Sequence, residues 1–215
     1  MTKPRPRVLL ADDHRMVAEG LKSLLVPEFE LVDVVEDGRA LIAAARKLRP
    51  DVIIADISMP HLNGLDALSQ LKKDNPAVKV VFLTMHKDVT YARRALESGG
   101  SGFVLKHSAP AELVDAIRAA LDGKTYLTPA LAGEVLQAIK RDGEKVSDPV
   151  ASLTPRQREI LQLLAEGRSA KEIGAALNIS VRTVEFHKYQ MMESLGLHVS
   201  AELVHFAIKH GIVVI

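Results

Sequence analysis

The chain contains no cysteine. That single absence removes disulfides and thiolate-bound metal centres, and it fits a reducing cytoplasm. There is also no apolar run of membrane-spanning length: "ALIAAA" at 40–45 stops at Arg46 and Lys47, so no membrane partner is expected. No secretory leader is expected either, because the apolar run inside "MTKPRPRVLLADD" ends in two aspartates. Neither sign of charge is in excess. With 28 Lys and Arg against 27 Asp and Glu the net charge is +1, and bulk charge announces no nucleic-acid partner. What is present is core-forming material: 47% apolar and 26% charged residues over 215 positions suit a globular protein of two domains. No internal repeat is found.

From Arg7 to about Gly123 two kinds of segment alternate. Short continuous apolar runs occur at Val8–Ala11, Val52–Ala55, Val80–Leu83 and Phe103–Leu105, with a weaker, acid-punctuated one at Leu31–Val35. Runs of that length fit parallel strands covered on both faces. Between them Val17, Leu21 and Leu24 recur at helical spacing, as do Leu41, Ala45 and Leu48; Leu65, Leu68 and Leu71; and Leu113, Ile117 and Ala120. Five such repeats predict a five-stranded, parallel, doubly wound α/β sheet. "GKTYLTP" then turns the chain, and Pro129 to Lys140 reads as a helix. "RDGEKVSDPVAS" has the aperiodic Gly, Pro, Ser and charge content of a linker, and after Leu153 the pattern is helical, with Thr154 and Pro155 at N-cap and N1. The expected boundaries are 5–124, a helix-bearing linker at 125–150, and a small all-α domain at 151–215.

In an open parallel sheet, function collects where the carboxyl ends of the strands emerge. Here that edge would carry Asp12 and Asp13, Asp56, Thr84 and Lys106. Taken singly, each has a bland reading as a turn former, helix cap or solvated charge. Together, three converging carboxylates repel unless a cation joins them, and an oxygen-only donor set suits Mg²⁺. One carboxylate would then attack phosphorus, while the hydroxyl and ammonium hold the transferred oxygens.

"ADDH" at 11–14, "VIIADISMPHLNGLDAL" at 52–68, "VVFLTMH" at 80–86 and "SGFVLKHSAPAEL" at 101–113 resemble the receiver domain of bacterial two-component response regulators. The resemblance implies a flavodoxin-like fold with Asp56 as phosphoacceptor, served by a sensor histidine kinase. It implies Mg²⁺ held by Asp12, Asp13, Asp56 and the backbone carbonyl of Ser58, with phosphoryl contacts from Thr84 and Lys106. Phe103 takes the switch-aromatic position where tyrosine is frequent. His107 replaces a frequent proline, which leaves the isomer of the Lys106–His107 bond open. His61, His86 and His107 read as loop residues, with His86 and Ser58 at positions that tune phosphoryl lifetime in the family.

In the C-terminal stretch Ile160, Leu163 and Leu164 form one apolar face and Ile173 and Leu177 another. Asn178 suits a tight turn needing positive φ, and Ser180 suits an N-cap. On the next helix Val184, His187, Met191 and Leu195 share one side. "LTPRQREILQLLAEG", "KEIGAALNIS", "RTVEFH" and "ELVHFAIKHGI" resemble the LuxR-type helix-turn-helix of the NarL/FixJ subgroup. That resemblance implies a recognition helix at about Ser180–Leu195 and a dimer-forming helix at about Ser200–His210. It makes Arg182 and Thr183 candidates for phosphate contacts, and Glu185, Phe186 and Tyr189, flanked by Lys188, candidates for base contacts on double-stranded DNA. From Val150 onward seven Lys and Arg face six Glu, a balance of +1 that predicts modest non-specific affinity and reliance on a homodimer.

The expected function is therefore a phosphorylation-regulated transcriptional regulator, not a multiple-turnover enzyme. Two alternatives stay open. One is a Mg²⁺-dependent aspartyl phosphatase, although such enzymes usually carry a second acid where Ser58 stands. The other is a regulator whose output is protein binding.

Overall fold

In the computed structural model, residues 4–213 are described except 86, 88, 109 and 142–148, so His86 and residues 142–148 of the expected linker lie outside the described residues. The chain divides into two compact units, Met1–Glu144 and Lys145–Ile215.

The first unit alternates β1 (Arg7–Ala11), α1 (Arg15–Leu25), β2 (Glu30–Val35), α2 (Gly38–Leu48), β3 (Val52–Asp56), α3 (Gly64–Asp74), β4 (Val80–Thr84), α4 (Val89–Glu97), β5 (Gly102–Leu105) and α5 (Pro110–Leu121). A two-residue β6 (Tyr126–Leu127) and α6 (Pro129–Arg141) follow. All pairings are parallel in the order β2-β1-β3-β4-β5-β6.

Period-two alternation sends successive side chains to opposite faces, which is why the inner strands read as unbroken apolar runs. Leu9, Ala11, Ile53, Ala55, Phe82, Phe103 and Leu105 pack with α2, α3, α4 and α6 on one face. Val8, Leu10, Val52, Ile54, Val81, Leu83 and Val104 pack with α1 and α5 on the other. Each buried Val, Leu, Ile or Phe among these contributes about 1.5–3 kcal/mol, and a one-residue slip would exchange the two sets. Register is therefore fixed. β2, at one edge of the sheet, is half-exposed, and acids interrupt its apolar run.

The sheet has a sixth strand beyond the five expected. Tyr126 N–H donates to Ser101 O and Thr128 N–H to Phe103 O at 3.1 and 3.0 Å, while the buried Thr128 hydroxyl accepts from Leu105 N–H at 3.2 Å. Two residues are too few to show a period, so "GKTYLTP" looks like a turn. Leu131 and Val135 of α6 join the same core as Tyr91, Ala92 and Ala95, so the stretch through Arg141 is built into this unit.

The second unit begins with a 3₁₀ turn (Pro149–Ser152), then α7 (Pro155–Ala165), α8 (Ala170–Leu177), α9 (Val181–Leu195) and α10 (Ser200–Lys209). Each start is written locally. Thr154 with Gln157, and Ser169 with Glu172, form capping boxes, and Ser180 caps α9. Asn178 sits at φ 54° between α8 and α9, as its side chain tolerates. Ile160, Leu163, Ile173, Leu177, Val184, Met191, Leu203 and Ala207 build the core, with Leu164 and Leu195 partly buried against it.

Candidate functional site

Parallel pairing brings the strand ends to one edge. Ala11 is registered with Ala55, Asp56 with Leu83, and Thr84 with Leu105, so the residues just beyond each strand crowd together. Asp12 and Asp56 are buried to 2% and 3% exposure. Lys106 reaches both, its Nζ lying 2.6 Å from Asp56 Oδ2 and 2.8 Å from Asp12 Oδ2. The other Asp56 oxygen accepts from Ser58 N–H at 3.1 Å. Thr84 closes β4 fully buried, and its carbonyl accepts from Lys106 N–H at 2.8 Å. Phe103 is completely buried within β5, its ring in the core beneath α4. The Lys106–His107 bond is trans.

The loop after β3 is drawn tight. Gly64 N–H donates to Ile57 O at 2.9 Å, and a Cβ on Gly64 would stand 2.3 Å from the Asp56 carbonyl oxygen. Only glycine permits that approach. Asn63 caps α3, and His61 holds a left-handed φ of 65° beside Asp37, as a loop residue.

Burial opposes charge at this site, and the ion pairs within it favour charge. Burial pushes the Asp56 carboxyl above its ordinary range, and the neighbouring Asp12 charge adds to this; Lys106 pulls the other way without cancelling it. Burial also disfavours the Lys106 ammonium, but the charges and hydrogen bonds of Asp56 and Asp12 outweigh it and raise its pKa. Asp12, Asp13, His14 and Asp56 each present a donor atom, all within 4.8 Å of one another. Asp13 Oδ1 is buried and receives no hydrogen bond. An orphaned, acceptor-only oxygen among further carboxylates is a donor set that fits a divalent cation. His14 was not singled out from the sequence. It was legible only as the residue ending "ADDH", with nothing to show that its ring turns toward the acids.

On α9 the inner stripe behaves as read: Val184 and Met191 are fully buried, His187 and Leu195 partly so. Outward stand Phe186 and Tyr189, 57% and 64% exposed, with Arg182 exposed beside them. Thr183 hydroxyl lies 2.9 Å from Ser180 Oγ, within the helix cap. Glu185 and Lys188 are ion-paired, and Lys188 Nζ stands 5.5 Å from the Tyr189 ring centre. All six candidate contact residues lie within the first three turns of α9; Arg182, Phe186 and Tyr189 are exposed, and Thr183, Glu185 and Lys188 are half-buried.

Residues 8–118 match the family described as response regulator receiver domain, and residues 151–207 match the bacterial regulatory proteins of the luxR family. The chain is a response regulator. Its luxR-family module follows the receiver in the same chain. It is 36% identical to the transcriptional regulatory protein MctR of Rhizobium johnstonii over 98% of this chain and 97% of that protein. It is 32% identical to the response regulator UvrY of Escherichia coli over 95% of this chain and 94% of that one. Among solved structures it resembles RcsB of Salmonella enterica serovar Typhimurium, bound to the promoter P1flhDC in the presence of the phosphomimetic BeF₃⁻. There the TM-score is 0.62 at 28% identity, covering 94% of this chain and 98% of that one. With a receiver domain and a LuxR-type DNA-binding domain in one chain, this response regulator is a transcriptional regulator of a two-component system. Among the described residues no helix is long and apolar enough to cross a membrane.

Proposed function

We propose that Asp56 is the phosphoacceptor of this response regulator, charged by a cognate sensor histidine kinase in the cytoplasm. The observation that carries the reading is the buried Asp56–Lys106–Asp12 cluster at the sheet edge. An Asp56 oxygen attacks the phosphorus of a phosphohistidine, the P–O bond forms as P–N breaks, and the histidine leaves with the electron pair. Lys106 and the Thr84 hydroxyl hold the transferred oxygens. Asp12, Asp13, Asp56 and the Ser58 carbonyl would hold Mg²⁺, which when bound offsets the charge gathered on the acid and the phosphoryl group. Lys106 already bridges two acids, so a new dianion at Asp56 redirects its ammonium. Phe103, beneath the same edge, is placed to register the change through β5.

Residues 5–124 serve as receiver, 125–150 as the tether whose β6 and α6 ride on it, and 151–215 as DNA-binding module. Arg182 and Thr183 meet phosphates of double-stranded DNA; Glu185, Phe186, Lys188 and Tyr189 present the base-reading face. The near-neutral module has little non-specific pull on DNA, so two copies, joined through α10, read paired half-sites. The phosphatase reading loses ground because a serine, not an acid, follows two residues after Asp56. Phosphorylation shifts a pre-existing balance, so residual DNA binding without phosphate is expected.

The test is phosphoryl transfer from a histidine kinase to the full chain. Label that is lost in strong acid, in alkali and with hydroxylamine, as an acyl phosphate is, should appear on the unaltered protein and be absent from Asp56→Asn, whose circular dichroism stays unchanged. Label retained by that variant would move the acceptor elsewhere.

A further inference from the structure

The side chain of His14 has no task in the scheme above. It is the N-cap residue of α1, yet its ring makes no capping hydrogen bond. Instead Nδ1 lies 3.0 Å from Asp13 Oδ1, 3.3 Å from Asp12 Oδ1 and 3.9 Å from Asp56 Oδ2. We infer that His14 is a nitrogen donor of the divalent-ion site and biases that site from Mg²⁺ toward a first-row transition ion such as Mn²⁺. The inference rests on the reading of the acid cluster as an ion site.

Two features separate this from an ordinary ion pair. An imidazolium 3.0 Å from a carboxylate oxygen should donate to it, but Asp13 Oδ1 is buried and receives no hydrogen bond. The nitrogen and the oxygen are therefore close without being aimed at each other, as two donors are when they share a third atom. The second feature is how the oxygens are divided. Lys106 takes the Oδ2 atoms of Asp12 and Asp56, which leaves Asp12 Oδ1 and Asp13 Oδ1 on the side where the imidazole stands. The His14 backbone N–H donates to that same Asp12 Oδ1 at 2.9 Å, fixing the start of α1 so that the ring is carried over the acids.

The chemistry of the added donor decides the ion. Mg²⁺ prefers oxygen and keeps its water, so an imidazole adds little to its binding. Mn²⁺ accepts mixed oxygen and nitrogen sets, and affinity for such sets rises along the first row from Mn²⁺. His14 is 58% exposed at the side chain, so the ring is free to turn by the small angle that ligation requires.

The experiment uses full-length, unphosphorylated protein. Mn²⁺ binding is followed by electron paramagnetic resonance and Mg²⁺ binding by calorimetry, for the unaltered chain, His14→Ala and His14→Gln. Mn²⁺ should bind about tenfold or more tightly than Mg²⁺, and His14→Ala should lower Mn²⁺ affinity about tenfold while Mg²⁺ stays within about twofold. The unaltered protein with substoichiometric Mn²⁺ should also show ¹⁴N echo modulation from a directly bound imidazole, a readout that needs no variant. Absence of that modulation, or equal Mn²⁺ affinity with and without His14, overturns the inference while leaving the ion site intact. An unaltered protein that binds neither ion overturns the ion site itself.

Discussion

Asp56 and Lys106 have side chains only 4% and 3% exposed, whereas Phe186 and Tyr189, 57% and 64% exposed, stand in the open. The first unit hides charge and the second displays aromatic surface; each inverts the usual placement of its residue type. In both cases the inversion marks chemistry that packing alone would not select. A buried ion cluster stabilises little on balance, since desolvation offsets attraction. An exposed phenyl ring stabilises nothing until a partner covers it.

If that contrast is right, removing a partner from the buried cluster should have the largest effect on stability. Lys106→Met leaves Asp12 and Asp56 facing each other without a cation, and the receiver should lose about 4 kcal/mol at neutral pH in urea unfolding. The sign with pH is distinctive. Asp56 already titrates above 3.8, so its folded form binds the proton more readily than its unfolded form, and protonation favours the fold. The deficit should therefore shrink as pH falls through the raised value toward 3.8, and Mg²⁺ should shrink it at neutral pH. A deficit that grows on acidification would mean that Lys106 serves packing and not charge balance.

On α9 the same logic predicts a split between two neighbouring sides of one helix. Met191→Ala opens the core of the second unit and should cost about 3 kcal/mol, losing DNA binding through loss of the fold. Phe186→Ala should change stability by no more than about 0.5 kcal/mol, yet weaken operator binding by about tenfold. Thermal unfolding and fluorescence anisotropy on the same preparations decide it. If Phe186→Ala unfolds the module, the exposed ring is part of the core and the reading face lies elsewhere.

The sequence made much of this plain for a physical reason. Both-face burial turns β1, β3, β4 and β5 into continuous apolar runs, and strand-end residues follow from knowing where those runs stop, so Asp12, Asp13, Asp56, Thr84 and Lys106 could be placed together. Helix starts were equally local, because Thr154, Ser169 and Ser180 act within three residues of themselves. What stayed hidden depends on rotamers and on brief pairing. The turn of the His14 ring toward three acids is a side-chain torsion, and the Glu185–Lys188 pair arises only once α9 fixes their spacing. β6 is two residues held by a neighbour 23 positions away through Thr128 and Leu105, too short to leave a period.

The smallest effect sets the two units against each other most cleanly. Glu172 accepts from the Ser169 backbone and hydroxyl at 2.8 and 2.7 Å, and Glu202 accepts from the His198 and Val199 N–H groups at 2.6 and 3.2 Å. These bonds hold both carboxyls below their ordinary range. Their stabilisation is present above 4.5, the ordinary value, and fades as pH falls through the lowered one. Acid thus weakens the caps of the second unit over a range where protonation of Asp56 favours the first. Glu172→Gln keeps the capping-box geometry but carries no titrating proton. It should retain most of the cap at neutral pH and flatten the acid limb of the second unit's melting curve, whereas Glu172→Ala should lower the melting temperature at neutral pH as well. Identical acid limbs in the unaltered protein and the glutamine variant would mean that the caps do not set the acid response of the second unit, and that both units answer to pH through buried groups alone.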